Sequence, residues 1–230
     1  MKNNGYILYI YIDLLTSISL VCTRNFSTKL TKRITKLDKS KKTIEKPLSD
    51  IIIGLLLGEG HIQKRTFKGN SRFIYGQSSL RKHHLNYFNH ILELFVPFLS
   101  EEFKLKEKSF LNKKTNIRYR SVNFTTLSFP CFNYYKNLFF NSDNIKIVPS
   151  NIQNLLSPIG LAYWIMVDGS IQNKGLHLNT YGFTHEDILI LKRSLEDMFG
   201  FKTLKCSIHK HNKGERKNLC MGGKHGIVKI

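Results

Sequence analysis

The chain has 230 residues, enough to bury one large core or two small ones, and its 41% hydrophobic and 12% aromatic content excludes a basic disordered tail. Thirty-six Lys and Arg against 16 Asp and Glu give a formal net charge of +20. That balance points to a polyanionic partner, and cations spread through the foldable region favour nucleic acid over an anionic membrane surface. Four scattered cysteines (Cys22, Cys131, Cys206, Cys220) form no CxxC pair, which argues against a disulfide scaffold and fits a reducing compartment.

Residues 6–21 are apolar, but the run is only 16 long and carries Asp13 at its middle. A membrane-spanning helix needs about 20 apolar residues without a central charge, so no anchor is expected. "TRNFSTK" (Thr23 to Lys29), followed by many cations, is like the end of a mitochondrial presequence, although Asp13 is foreign to one. Abundant Asn, Lys, Ile, Phe and Tyr fit AT-rich codons, so the mitochondrion, or alternatively the chloroplast, is the expected location. Lys29 to Lys46 holds eight Lys or Arg and two acids, a solvated linker or a flexible arm for phosphates. Residues 1–46 are thus read as a basic leader and linker, serving in targeting or read through from upstream coding sequence.

The folded part begins near Pro47 with a helix over Asp50 to Glu59. Alternating stretches His61 to Phe67 and Ser71 to Ser79, joined at Lys68–Gly69–Asn70, predict a β-hairpin. Leu85, Phe88, Leu92, Phe95 and Val96 have a helical period. "EFKLKEKSF" and "NIRYRSVNFTTLSF" predict a second hairpin around Asn112–Lys113, and "CFNYYKNLFF" a short helix. In "SPIGLAYWIMVDGS", Ser157 caps a second apolar helix and Pro158 suits its first position. After Asp168 the order restarts: a hairpin from Ser170 to Thr180, a helix from Thr184 to Phe199 stopped by Gly200, and a strand "FKTLKCSIHKH". Residues 47–150 and 151–230 are therefore two copies of one helix–hairpin–helix–hairpin–helix unit. The tail "NKGERKNLCMGGKHGIVKI" has no strong helical period, so the second copy is expected to lack part of its last hairpin and its closing helix.

Both apolar helices deliver an acid at the tip, Glu59 and Asp168, offset by 168 − 59 = 109 residues. Packing the helices side by side would bring the tips together. Gly54 and Gly58 leave one face of the first helix flat for close approach, and their counterparts at that offset are Tyr163 and Val167. A carboxylate at a helix C-terminus faces the unfavourable end of the dipole, and two acids repel, so a hard divalent cation such as Mg²⁺ is the expected counterion. In a basic protein a phosphate oxygen completes the ligand set.

The hairpins supply a cationic, hydrogen-bonding surface. His61, Gln63 and Arg65 alternate on the first strand, and Arg72 lies on the next. Lys104, Lys106 and Lys108 are expected on one face of a strand, with Arg118 and Arg120 on its partner. Lys174, His177 and Asn179, then Lys205, Ser207 and His209, repeat the pattern in the second copy. A ribbon of this kind fits the DNA major groove, where Arg and Gln read base edges.

"IIGLLLGEG" (Ile52 to Gly60) and "LAYWIMVDG" (Leu161 to Gly169), with the context "LNTYGFT…L…MFGF", resemble the two motifs of single-chain LAGLIDADG homing endonucleases of the organellar intron-encoded branch. The similarity covers about residues 48–212. It implies an α+β fold of two pseudo-symmetric αββαββα repeats, with saddle-like antiparallel sheets on a long DNA site. It also implies a monomer that makes a site-specific, Mg²⁺-dependent double-strand cut at a group I intron insertion site, with metal ions at Glu59 and Asp168. Glu at the first position keeps the carboxylate and lengthens it. The resemblance further implies a supporting Gln, for which Gln77 is the candidate, and a Lys for which nothing matches. Alternatives are an RNA-binding intron-splicing maturase and an inactive truncated remnant. A zinc site from Cys206, His209, His211, Cys220 and His225 matches no usual zinc spacing, and "HHLNYFNH" (His83 to His90) reads as surface histidines on one helix.

Overall fold

The computed structural model describes residues 34–172, 175–200, 204–211 and 214–221. The elements are helix α1 (Lys36–Lys41), α2 (Lys46–Leu57), strands β1 (His61–Lys64) and β2 (Ser71–Ser78), then α3 (Lys82–Phe95). There follow β3 (Glu107–Asn112), β4 (Ile117–Thr125), α4 (Asn133–Phe139), α5 (Ile152–Leu155) and α6 (Pro158–Asp168). The chain continues through β5 (Gly169–Gln172), β6 (Gly175–Asn179), α7 (His185–Phe199), β7 (Leu204–His211) and β8 (Gly214–Met221). Two four-stranded antiparallel sheets result, ordered β1-β2-β4-β3 and β5-β6-β8-β7. The same strand order arises twice from the same sequence of elements, which is the repeat seen in the chain.

Two expectations are corrected here. The last hairpin is whole: β7 and β8 pair from Leu204 opposite Met221 to His211 opposite Gly214. "GERKNLCM" has no apolar alternation to announce a strand, and its backbone is fixed by pairing with β6 and β7 on either side. Within the presumed linker, α1 is a helix with a full capping box, Thr35 accepting from Asp38 N–H and Asp38 reaching back to Thr35 N–H. The apolar run at 6–21, the presequence-like stretch and the expected lack of a closing helix all concern positions outside the described residues. Among the described residues no helix is long and apolar enough to cross a membrane.

By packing, the chain forms two compact units, one holding Ile53–Gly58 with Asn141–Ile230 and the other holding Glu59–Phe140 and the stretch ending at Ile52. The Glu59–Phe140 unit is built on an aromatic core. Alternation along β2 turns Phe73 and Tyr75 inward beside Ile62, Val122 and Phe124, all nearly inaccessible. The amphipathic α3 covers that face with Phe88, Ile91 and Phe95, and Phe73 stacks on Phe95 at 4.3 Å and 4°. Burying each such ring contributes about 1.5–3 kcal/mol. Lys39 and Lys42 lie over the Phe129 and Phe98 rings at 5.7 and 5.3 Å, tying α1 to the same core.

In the other unit α6 starts as its sequence predicts, with Ser157 Oγ accepting from Gly160 N–H at 3.1 Å and Pro158 in the first turn. Gly54 meets Gly160: a Cβ built on Gly54 would stand 2.0 Å from the Gly160 carbonyl oxygen. Backbone therefore touches backbone, with a glycine from each helix. The flat face of Gly54 is filled by Gly160 and not by its repeat counterpart Tyr163.

α7 opens with a second capping box, Thr184 and Asp187, and closes on Gly200 at φ 65°. Asp187, almost fully buried, also accepts the Val148 N–H at 3.1 Å. Asp187→Ala removes the reciprocal half of the capping box and orphans the buried Val148 N–H, so it should lower stability by about 2–3 kcal/mol in urea unfolding. Asp187→Asn keeps a side-chain oxygen and should recover most of that loss.

Candidate active site and nucleic-acid interface

α2 ends at Leu57, and Gly58 N–H bonds back to the Leu55 carbonyl at 3.1 Å. The glycine pair weakens the last turn, so Glu59 stands exposed beyond the helix and not at its final residue as the sequence predicted. Asp168 does close α6. In the unit that holds Gly58 and Asp168, a Cβ on Gly58 would lie 2.8 Å from Asp168 Oδ2 and 3.0 Å from Val167 Cγ1. The second glycine of the pair thus leaves the Asp168 carboxylate room against the main chain.

The same glycine receives a cation. Lys146 Nζ donates to the Gly58 carbonyl at 2.7 Å. A tight turn delivers it: Asn141 Oδ1 accepts from Asp143 N–H at 3.0 Å and Ile145 N–H at 2.9 Å, with Asn144 at φ 61°. The turn exposes Ile145 and half-buries Lys146, the reverse of what their polarity predicts. Sequence reasoning missed this lysine for that reason. The only local signal was the turn-forming "NSDN" before it.

Gln77 follows Tyr75 on the core-facing register of β2, and its Oε1 accepts the Tyr75 hydroxyl proton at 3.1 Å. It belongs to the same unit as Glu59.

The other face of the first sheet carries His61, Gln63, Arg72 and Ile74, with Asn123 and Thr125 on β4. Arg72 Nε and Nη2 both donate to Gln63 Oε1, at 3.0 and 2.5 Å. Burial, and then the nearby Arg65, push the Arg72 guanidinium below its ordinary value. His61 meets Phe140 edge to face at 5.0 Å, and Phe140 in turn carries the buried Lys136 ammonium 3.8 Å above its ring.

Register corrects part of the expected pattern. β1 stops at Lys64, so Arg65 lies in the loop, and β3 starts at Glu107, so Lys104 and Lys106 precede it. Lys108 pairs with Ser121, whereas Arg118 and Arg120 pair with Leu111 and Ser109 on the opposite face. These cations share no single face because successive strand residues alternate and the hairpin loop is longer than a two-residue turn. Phe110 and Tyr119 face one another across the ribbon and are 67% and 47% exposed.

In the second sheet, His177 and Asn179 flank the buried Leu178. The ladder aligns His177 with Cys220 and Lys205, and Asn179 with Asn218 and Ser207, while His209 pairs with Arg216. Lys174 falls outside the described residues.

A motif helix, a hairpin, a covering helix and a second hairpin, given twice with sheets of identical strand order, define a two-repeat α+β class. A solved structure has this fold: the homing endonuclease I-WcaI bound to its DNA recognition sequence matches 88% of this chain and 86% of its own, with a TM-score of 0.66 at 22% identity. The model of the LAGLIDADG DNA endonuclease family matches residues 49–225, and the chain belongs to that family. A probable intron-encoded endonuclease 1 of Wickerhamomyces canadensis is 32% identical over 80% of this chain and 78% of its own length. The cytochrome b mRNA maturase bI2 of Saccharomyces cerevisiae is 33% identical over 71% of this chain, which spans only 38% of that protein.

Proposed function

We propose that the chain is a site-specific double-strand DNA endonuclease, encoded by a group I intron and acting in the mitochondrion. The observation that carries this is the meeting of the Asp168 carboxylate and the Lys146 ammonium at Gly58, with Glu59 the next residue in the chain. The cytochrome b and intron-encoded relatives support the organellar setting.

The residues fit a divalent ion. Mg²⁺ takes one or two carboxylates, several waters and substrate phosphate oxygens, and the Asp168 carboxylate, packed against side-chain-free Gly58, is a ligand of that kind. Glu59 and Asp168 would hold it, and when bound it supplies Lewis-acid stabilisation and an activated water. Lys146, fixed by the Gly58 carbonyl, adds positive charge where the scissile phosphate becomes more anionic. Gln77, steadied by Tyr75, orients water through its amide. The sheet face that carries Arg72 and Lys108, with Lys205 on the second sheet, holds the duplex, and Arg118 and Arg120 on the ribbon's opposite face flank it at phosphates.

The test is to incubate the full chain with duplex DNA carrying the joined exons around the insertion site, with Mg²⁺ or with EDTA. A double-strand cut only with Mg²⁺ is expected, and no cut overturns the proposal. Lys146→Met should slow cutting by about 10²-fold with DNA binding kept, and Lys146→Arg by less. The bI2 relatives named as mRNA maturases favour a second reading, in which the same cations hold intron RNA. Retention of the unspliced intron transcript over the DNA duplex in a filter-binding competition would favour it.

A further inference from the structure

We infer that Gln63 and Arg72 act together as a donor-only reader, selecting guanine at one position of the DNA site and rejecting cytosine. This rests on the DNA-endonuclease proposal and deepens it. The β1–β2 register sets the two residues directly opposite each other on the sheet face away from the aromatic core. Arg72 Nε and Nη2 both donate to Gln63 Oε1. A guanidinium has donors only, so the orientation of the Gln63 amide is fixed: its oxygen is committed to Arg72 and its nitrogen is not.

The consequence is a reversal of what glutamine ordinarily does in the major groove. A free Gln pairs its carbonyl and amide with the donor and acceptor of adenine. Gln63 has its acceptor occupied, so the pair presents the amide N–H groups together with the unused end of the guanidinium, and no acceptor. Guanine offers two acceptors, N7 and O6, on its groove edge, whereas cytosine offers the N4 donor. Cytosine there would set donor against donor in a desolvated contact. Gln63 is in this sense a positioning residue for Arg72, holding one edge of the fork so that the other meets the base.

The experiment is selection of bound duplexes from a randomised pool by the full chain, compared with Arg72→Ala, Gln63→Ala and Gln63→Glu. The wild type should show one position with guanine favoured over cytosine by roughly ten-fold or more. Arg72→Ala should erase that preference and Gln63→Ala should blur it. Gln63→Glu should weaken it, because the carboxylate grips the same guanidinium edge but replaces the amide donors with acceptors that suit the cytosine amine. Replacing that guanine by 7-deazaguanine should weaken binding about ten-fold by removing N7. If Arg72→Ala lowers affinity evenly across sequences, or the position these variants alter selects adenine or cytosine, the inference is overturned while the site stands. A wild type that enriches no sequence overturns both the DNA proposal and this inference.

Discussion

Asp168→Asn is expected to slow Mg²⁺-dependent cutting by roughly 10³-fold, the loss of several kcal/mol of metal-borne transition-state stabilisation. The substitution is nearly isosteric and sits at a helix end where a negative charge opposes the dipole, so stability should not fall. Gel-shift affinity for the target should persist because the sheet faces are untouched. Glu59→Gln should behave alike, and the double variant should be little worse than either, as expected of groups acting as a unit. A cutting rate unchanged by either single variant would remove both acids from the chemistry. A variant that fails to fold would instead show itself in its thermal melt.

Gly54→Ala is expected to cost about 3 kcal/mol, although alanine is the better helix former by about 1 kcal/mol. The added methyl would stand 2.0 Å from the Gly160 oxygen, and that obstacle is backbone, which no rotamer change can clear. Separating α2 from α6 enough to admit it loosens the buried side chains along both helices, including Leu55, Leu56, Leu161 and Trp164. Chemical denaturation should show the drop, and cutting should fall with it, since Asp168 and Lys146 take their places from the end of α2. Retained stability in Gly54→Ala would refute the close crossing.

Much of this was legible in the chain because periodicity and punctuation agreed. Ser157–Pro158 announced a helix start and Gly200 a helix stop, and both stand where expected. The two motif acids and the glycine step were visible as spacing, and Asp168 closes its helix as expected whereas Glu59 stands past the end of its own. What escaped were features set by tertiary partners. Lys146 is placed by a turn that buries the cation and exposes its apolar neighbour. β8 is a strand because two neighbours pair with it. Gly160 stood unremarked in the sequence, because a glycine shows its use only when another backbone lies against it. Arg118 and Arg120 were put beside Lys108 because register across a hairpin depends on loop length, which composition leaves open.

The outer ribbon has a consequence for descent. All of β3 and the first half of β4 lie outside the buried core, and even Phe110, Leu111, Ile117 and Tyr119 face solvent. Side chains there can change with little effect on folding, while the Gly54–Gly160 crossing admits no side chain. Under the proposed endonuclease function, a lineage of such proteins can therefore drift toward new insertion sites through the ribbon and keep the same cutting machinery from one host gene to the next.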